Sequence, residues 1–284
     1  MTNRALNEAL YYRQEPDDEY YTQYEDIAAE MKHYTDFLRG KKVLCPCDDV
    51  NMSEFPRYFS EKYSSIGLAG LRCVGYSKDW PTCDLYEYDG TTKKFGIGNW
   101  NGDYRAKEAQ ELFAWCDVVV TNPPFSQLRP MIEMLFEYGK HFIIIGNSNT
   151  LHTNLMFELV RKKLLQAGHT QPKVFDTPTG KKKLGFCCWL TNTGLGVGEE
   201  WRELTADYDE KNCVPIDDNP AIIRVHRLKH IPRNYSGVMV VPYTLLLSGY
   251  GQFELLGLLR PHVNGKEHFT GILCRFKQEY LDLI

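Results

Sequence analysis

The sequence predicts an α/β fold with a mostly parallel, doubly wound sheet. Three observations point there. Short apolar runs of four to six residues recur along the chain, segments of helical period lie between them, and polar turn residues follow the runs. A chain of 284 residues has room for one large α/β domain, or for one domain with a smaller appendage.

In order, residues 24–39 place Ile27, Ala28, Met31, Tyr34 and Leu38 on one helical face, and Gly40 is suited to end that helix. Val43 to Cys47 reads as a buried strand running into the polar turn of Asp48 and Asp49. A helix over 53–63 would bury Phe55, Tyr58, Phe59 and Tyr63. A second strand follows at Leu71 to Tyr76, and Tyr88-Asp89-Gly90 marks a hairpin turn. Helix 106–115, strand Asp117 to Thr121, helix 128–138 and strand Phe142 to Ile145 continue the alternation. A helix over 153–166 leads into a Gly/Lys/Pro-containing stretch, 168–185, read as an exposed loop around its lysines. Strand-like runs return at Phe186 to Leu190 and Val238 to Leu247. In open sheets of this kind ligands collect at the carboxyl ends of the strands, so the polar residues there are the ones to examine.

A net charge of −4 excludes a basic nucleic-acid coat protein. The charge is uneven, however. Residues 1–40 hold nine acidic and four basic side chains, residues 140–188 two acidic and eight basic, so a polyanion would meet the second region. The nine Cys show no paired zinc spacing, the eight His no metal-ligand spacing, and no metal site is expected. The polar, acidic N-terminus lacks a signal-peptide pattern, and no apolar stretch approaches the roughly 20 residues of a membrane span. An intracellular protein with reduced thiols is the expectation.

The most informative residues are Asn122, Pro123, Pro124 and Phe125, directly after a buried strand. A proline-rich turn with a buried Phe is the bland reading. The chemical reading starts from the exocyclic amine of an aromatic ring, a poor nucleophile because its lone pair is delocalised. The Asn122 side-chain carbonyl and the Pro123 main-chain carbonyl would hold its two hydrogens, favouring a pyramidal nitrogen with its lone pair directed outward at a methyl sulfonium. Two prolines fix φ and leave no N–H to compete for those carbonyls. Phe125 offers a ring on which an extruded base can stack.

Asn-Pro-Pro-Phe after an apolar strand resembles the catalytic motif of amino-methyltransferases acting on adenine, and the likeness spreads along the chain. Asp18, Glu19, Tyr20, Tyr21, Thr22 and Gln23 resemble the N-terminal cofactor motif of these enzymes. Cys45, Pro46, Cys47, Asp48 and Asp49 resemble the unusual first motif of the EcoRI-type adenine-specific DNA modification methyltransferases, where most methyltransferases carry a Gly-rich turn. Gly102-Asp103-Tyr104-Arg105, Trp189-Leu190-Thr191-Asn192 and Tyr235-Ser236-Gly237-Val238-Met239 follow in the same order. The segment between the strand at 142–145 and Trp189 is shorter than the family pattern.

The resemblance implies a Rossmann-like class I methyltransferase fold over 1–192. It also implies S-adenosylmethionine as cofactor and methyl transfer to N6 of an adenine flipped from double-stranded DNA. Residues 193–284 would then be a C-terminal region partly for recognition and partly for completing the sheet. A monomer in the cytoplasm of a bacterial or phage-infected cell is the accompanying expectation. Asn122, Pro123, Pro124 and Phe125 are the catalytic candidates. Tyr21, Thr22, Cys47, Asp48, Asp49, Asp103, Tyr104 and Asn122 are the cofactor candidates: Tyr21 and Thr22 at the methionine end, Asp48 and Asp49 for the ammonium group, Asp103 for the adenine amino group, Tyr104 beside the ring. The acidic residue that usually holds the ribose is missing from Val74, Gly75, Tyr76 and Ser77.

Arg161, Lys162, Lys163, Lys181, Lys182 and Lys183 are candidate phosphate contacts; a solvated face accounts for them as well. Arg224, His226, Arg227, Lys229 and His230 form a third basic cluster of the same kind. The residues alone leave other readings open: RNA adenine as substrate, a protein glutamine amide (relatives of that kind usually carry Tyr in place of Phe125), or a catalytically silent nucleic-acid-binding protein on the same scaffold.

Overall fold

The computed structural model describes residues 20–177 and 179–283, so Asp18 and Glu19 lie outside the described residues. The chain forms two compact units, Met1–Asn147 with Thr170–Leu195, and Ser148–His169 with Gly196–Ile284.

In the first unit, a two-residue strand, Tyr21–Thr22 (β1), precedes helix Tyr24–Met31 (α1). A 3₁₀ turn, Lys32–Tyr34, and a short helix, Thr35–Leu38, continue it, and Gly40 ends the run at φ +70°. Ile27, Met31, Tyr34 and Leu38 are fully buried, as the helical period requires.

Strand Lys42–Cys45 (β2) leads to helix Glu54–Ile66 (α2) and strand Gly70–Val74 (β3). Helix α2 begins at Ser53, whose side chain accepts from the Phe55 amide, and stops at Gly67 in the left-handed conformation. Phe55, Tyr58, Phe59 and Tyr63 form its buried side. Cys83–Tyr88 (β4) and Lys93–Gly98 (β5) make the expected hairpin. Its turn is tied by the Asp89 carboxylate, which accepts from the Thr91 and Thr92 amides at 2.9 and 2.7 Å.

Helix Gln110–Trp115 (α3), strand Val118–Thr121 (β6), helix Leu128–Glu137 (α4) and strand His141–Asn147 (β7) follow. Val174–Thr177 (β8) and Gly180–Lys183 (β9) form a second hairpin, and Cys187–Thr191 (β10) ends the series. Lys181 to Lys183 therefore lie in a strand and not in the expected loop. Strand β8 pairs with β1 on one side and β9 on the other, making a small three-stranded antiparallel sheet.

Within this unit the main sheet runs β5-β4-β3-β2-β6-β7-β10. Its centre is parallel, β3 to β2 to β6 to β7. The flanking pairs β3–β4, β4–β5 and β7–β10 are antiparallel, so the sheet is mixed, with the parallel portion confined to the middle. Strands β2, β6 and β7 are nearly all buried, which is why they read as unbroken apolar runs. The chain leaves β2 toward β3 on one side and returns to β6 on the other. The carboxyl ends of β2 and β6 thus flank the point where the strand order reverses.

In the second unit a 3₁₀ helix, Ser148–His152, precedes helix Asn154–Arg161 (α5), which stops short of the expected residue 166. Lys162 caps it and Lys163 takes φ +60°, closing the last turn. Strands Cys213–Ile216 (β11), Asn219–Val225 (β12), Val238–Val241 (β13), Phe253–Leu259 (β14) and Gly271–Phe276 (β15) form a sheet of their own, order β11-β12-β13-β15-β14. The C-terminal strands thus build a separate sheet instead of completing the main one. The run expected over Val238 to Leu247 is strand only to Val241. Pro242 offers no N–H for the ladder, and Tyr243–Leu247 is a 3₁₀ helix.

Candidate active site

A cavity opens in the first unit at the strand-order reversal. Pro46 to Asp49 enter it from the end of β2, Tyr76 and Lys78 from beyond β3, and Asn122 to Pro124 with Gln127 from the end of β6. Tyr20, Tyr21, Thr22 and Gly102 to Arg105 complete the lining. The structure therefore gathers in one place every residue assigned above to the cofactor and three of the four catalytic candidates. Phe125 packs beside them, its ring centroid 5.5 Å from that of Tyr20 at an interplanar angle of 30°.

Asn122 is held in one orientation. Its Nδ2 donates to the Tyr20 main-chain carbonyl, and because that oxygen can only accept, the amide cannot be turned round. The opposite atom, Oδ1, is buried and has no hydrogen-bond partner. Leaving such an acceptor unmatched costs roughly 1–3 kcal/mol, which a donor arriving in the cavity would offset. Thr22 Oγ1 is a second buried, unmatched polar atom on the same lining.

Asp48 ties the strand ends together. It is 2% exposed. Its carboxylate accepts from Ser53 Oγ at 2.7 Å, from Thr121 Oγ1 at 2.5 Å, and from the Asn122 main-chain amide. One carboxylate thus joins the β2 turn, the start of α2, the last residue of β6 and the Asn122 backbone. Burial pushes its pKa up to about 7 against the opposing pull of those three donors. Most of its lone pairs are occupied by the chain's own donors. Asp49 is oriented by the Asn51 amide at 2.7 Å, and a Cβ on Gly75 would collide with its carboxylate.

Asp103 lies in a bidentate pair with Arg105, Nη2 to Oδ2 at 2.6 Å and Nε to Oδ1 at 2.9 Å; the Arg105 amide adds a third bond at 2.9 Å. Burial would raise its pKa, but these partners outweigh that and hold it below its ordinary value. Gly102 turns the chain here at φ +83°, and a side chain on it would strike the Gly75 carbonyl. Buried Tyr104 reaches toward Gln127 at 3.5 Å. Burial pushes the Cys45, Cys47 and Cys73 thiols up, so none is a thiolate nucleophile near neutral pH.

The basic candidates separate. Arg161 to Lys163 belong to the second unit, with Arg161 paired to Glu158 at 2.6 Å and Lys163 to Glu199 at 2.9 Å. Lys181 to Lys183 belong to the first. Sequence reasoning missed Tyr76, Lys78 and Gln127 on the cavity lining and gave Tyr20 no role. The strand-end rule was the signal for Tyr76 and Lys78. Among the described residues, no cluster of His, Cys, Asp or Glu could hold a metal, and no helix is long and apolar enough to cross a membrane.

The family described as Adenine-specific methyltransferase EcoRI matches residues 6–99, 91–182 and 169–277. The chain belongs to that family. It is 29% identical to the Type II methyltransferase M.EcoRI of Escherichia coli over 321 aligned positions, covering 98% of each chain. It is 30% identical to the Type II methyltransferase M.MpnI of Mycoplasma pneumoniae over 85% of this chain and 82% of that one. A similar match, 29% over 85% and 83%, is to M.MgeORF184P of Mycoplasma genitalium. No solved structure matches. The family match runs through both compact units of this methyltransferase and includes Asn122 to Phe125, Asp48, Asp49 and Asp103.

Proposed function

We propose that this methyltransferase transfers a methyl group from S-adenosylmethionine to N6 of an adenine flipped out of double-stranded DNA, on a Rossmann-like class I scaffold. The observation that carries the reading is the fixed Asn122 amide, its Nδ2 on the Tyr20 carbonyl and its buried Oδ1 unmatched. An amine N–H is the donor that Oδ1 lacks. Held by Asn122 and by the Pro123 carbonyl, the amine becomes pyramidal and its lone pair is released for attack. Phe125 stacks the base, replacing part of what flipping removes.

The cofactor, when bound, supplies an electrophilic methyl sulfonium. Thr22, whose hydroxyl is buried and unmatched, fits its polar methionine end together with Tyr21 and Asp49. Asp103, held ionised by Arg105, accepts from its adenine amino group beside Tyr104. Asp48 holds the Asn122 backbone, and Cys47 lines the cavity beside it. The second unit would read the DNA sequence through its basic residues, and the enzyme would act as a monomer in the bacterial cytoplasm.

The test is transfer of radiolabelled methyl from S-adenosylmethionine to unmodified duplex DNA by the purified protein, with hydrolysis and chromatography of the product. N6-methyladenine is the expected product. Label entering only RNA, or no label entering nucleic acid that the protein binds, would overturn the proposal.

A further inference from the structure

The run Lys181, Lys182 and Lys183 is uniform in sequence, but the structure divides it. In the antiparallel pair β8–β9, Lys182 lies opposite Phe175, and on the other side of β8 Phe175 lies opposite Thr22. Directly paired residues project to the same face of a sheet. Lys182 therefore shares a face with Phe175 and Thr22, both buried, whereas Lys181 and Lys183 share the opposite face, where Lys181 meets Asp176 at 3.9 Å.

On its own face Lys182 reaches Tyr20. Its Nζ donates to the Tyr20 hydroxyl at 2.9 Å and stands 5.0 Å from the ring centroid. Tyr20 is the residue whose carbonyl orients Asn122 and whose ring lies against Phe125. Because the tyrosine oxygen accepts from Lys182, its own O–H is left to donate. An ammonium and a hydroxyl 2.9 Å apart present two donors, one charged, beside the aromatic wall of the cavity. Two donors at that spacing fit two oxygens of one phosphate.

We infer that Tyr20 and Lys182 together bind the phosphate of the extruded nucleotide, joining backbone contact to the orientation of Asn122. This rests on the reading under Proposed function and extends it. A base stacked on Phe125 brings its own phosphate to this wall. Engaging Tyr20 there steadies the carbonyl that fixes the catalytic amide. The three lysines then have unequal roles: Lys182 acts on flipping, Lys181 and Lys183 at most on general attraction.

The experiment uses the full chain and a duplex holding the recognised sequence with 2-aminopurine at the target adenine. Its fluorescence rises when the base leaves the stack. Lys182→Gln should lower the flipping signal and the single-turnover methylation rate about tenfold, and reduce the slope of log affinity against log salt by about 1. Cofactor affinity should stay as in the parent. Tyr20→Phe should act in the same direction, and the double variant should be no worse than the more severe single one. Lys94→Gln, on the exposed strand β5, serves as the charge control and should change neither signal. Loss in Lys181→Gln equal to that in Lys182→Gln, or full additivity of Lys182→Gln and Tyr20→Phe, would overturn the inference. If the parent protein methylates DNA and all variants match it, this inference fails while the proposed function stands. If the parent methylates no DNA, both fail.

Discussion

Asp48→Asn removes a buried carboxyl while keeping its shape. In the folded protein that carboxyl is 2% exposed, faces no cationic partner among its named contacts, and has its pKa pushed up to about 7 by burial. In the unfolded chain it titrates near 3.9. The folded state therefore holds the proton more tightly than the unfolded state. The resulting stabilisation is fully present below about pH 4 and is lost as pH rises through about 7, at ~1.4 kcal/mol per pH unit in between. The groups around it are Ser53, Thr121, the Asn122 amide and the thiols of Cys45, Cys47 and Cys73. Of these only the three thiols can titrate, and burial pushes all of them up, away from neutral. Between pH 5 and pH 8 the parent should lose about 2.5 kcal/mol relative to Asp48→Asn.

Urea unfolding at half-unit pH steps measures this difference. Four of the five Trp, Trp80, Trp100, Trp115 and Trp189, lie in the first unit and Trp201 in the second, so the fluorescence reports mainly on the unit that holds Asp48. A difference between the two proteins that stays constant within about 0.5 kcal/mol from pH 5 to 8 would refute the reasoning. So would a parent that gains relative stability as pH rises, since Asp48 would then be held ionised.

Asn122→Ala should lower the methyl-transfer rate on the order of 10²–10³-fold, the scale on which one preorganised polar contact acts, with cofactor affinity little changed; near-parent turnover would remove the amide from the mechanism. Phe125→Ala deletes stacking and leaves the acceptors, so a loss of about 1–3 kcal/mol, read as single-turnover rate, is expected. Asp103→Ala should raise the dissociation constant for S-adenosylmethionine about 10- to 100-fold by calorimetry, as removal of a charged hydrogen bond implies; unchanged affinity would reassign Asp103. Ser53→Ala should cost about 1 kcal/mol of stability through the lost helix cap, with more if the Asp48 contact matters independently.

The central parallel strands were legible because each is an apolar run that one sheet buries on both faces. Helix α2 was legible through Phe55, Tyr58, Phe59 and Tyr63, whose spacing matches its period. The β8–β9 hairpin was not, because its lysines hide the alternation and its pairing with β1 spans about 150 residues of sequence. Proline at 242 marked an end to β13 that the apolar count overrode. In the site, Asn122 to Phe125 and Asp48 to Asp49 stand together in sequence and declared themselves. Tyr20 and Gln127 reach the cavity only through topology, whereas Tyr76 and Lys78 follow the end of β3, where the strand-end rule pointed. Asp48 was placed at the right strand end, but its bonds to Ser53, Thr121 and Asn122 depend on β2 and β6 being neighbours.

Long-read sequencing sensitive to base modification, on DNA from cells expressing the parent chain or Asn122→Ala, tests the central claim most directly. The account predicts N6-methyladenine in one recurring sequence context with the parent and none with the variant. Unmodified DNA in cells containing soluble, folded parent protein, or equal methylation by Asn122→Ala, would contradict it.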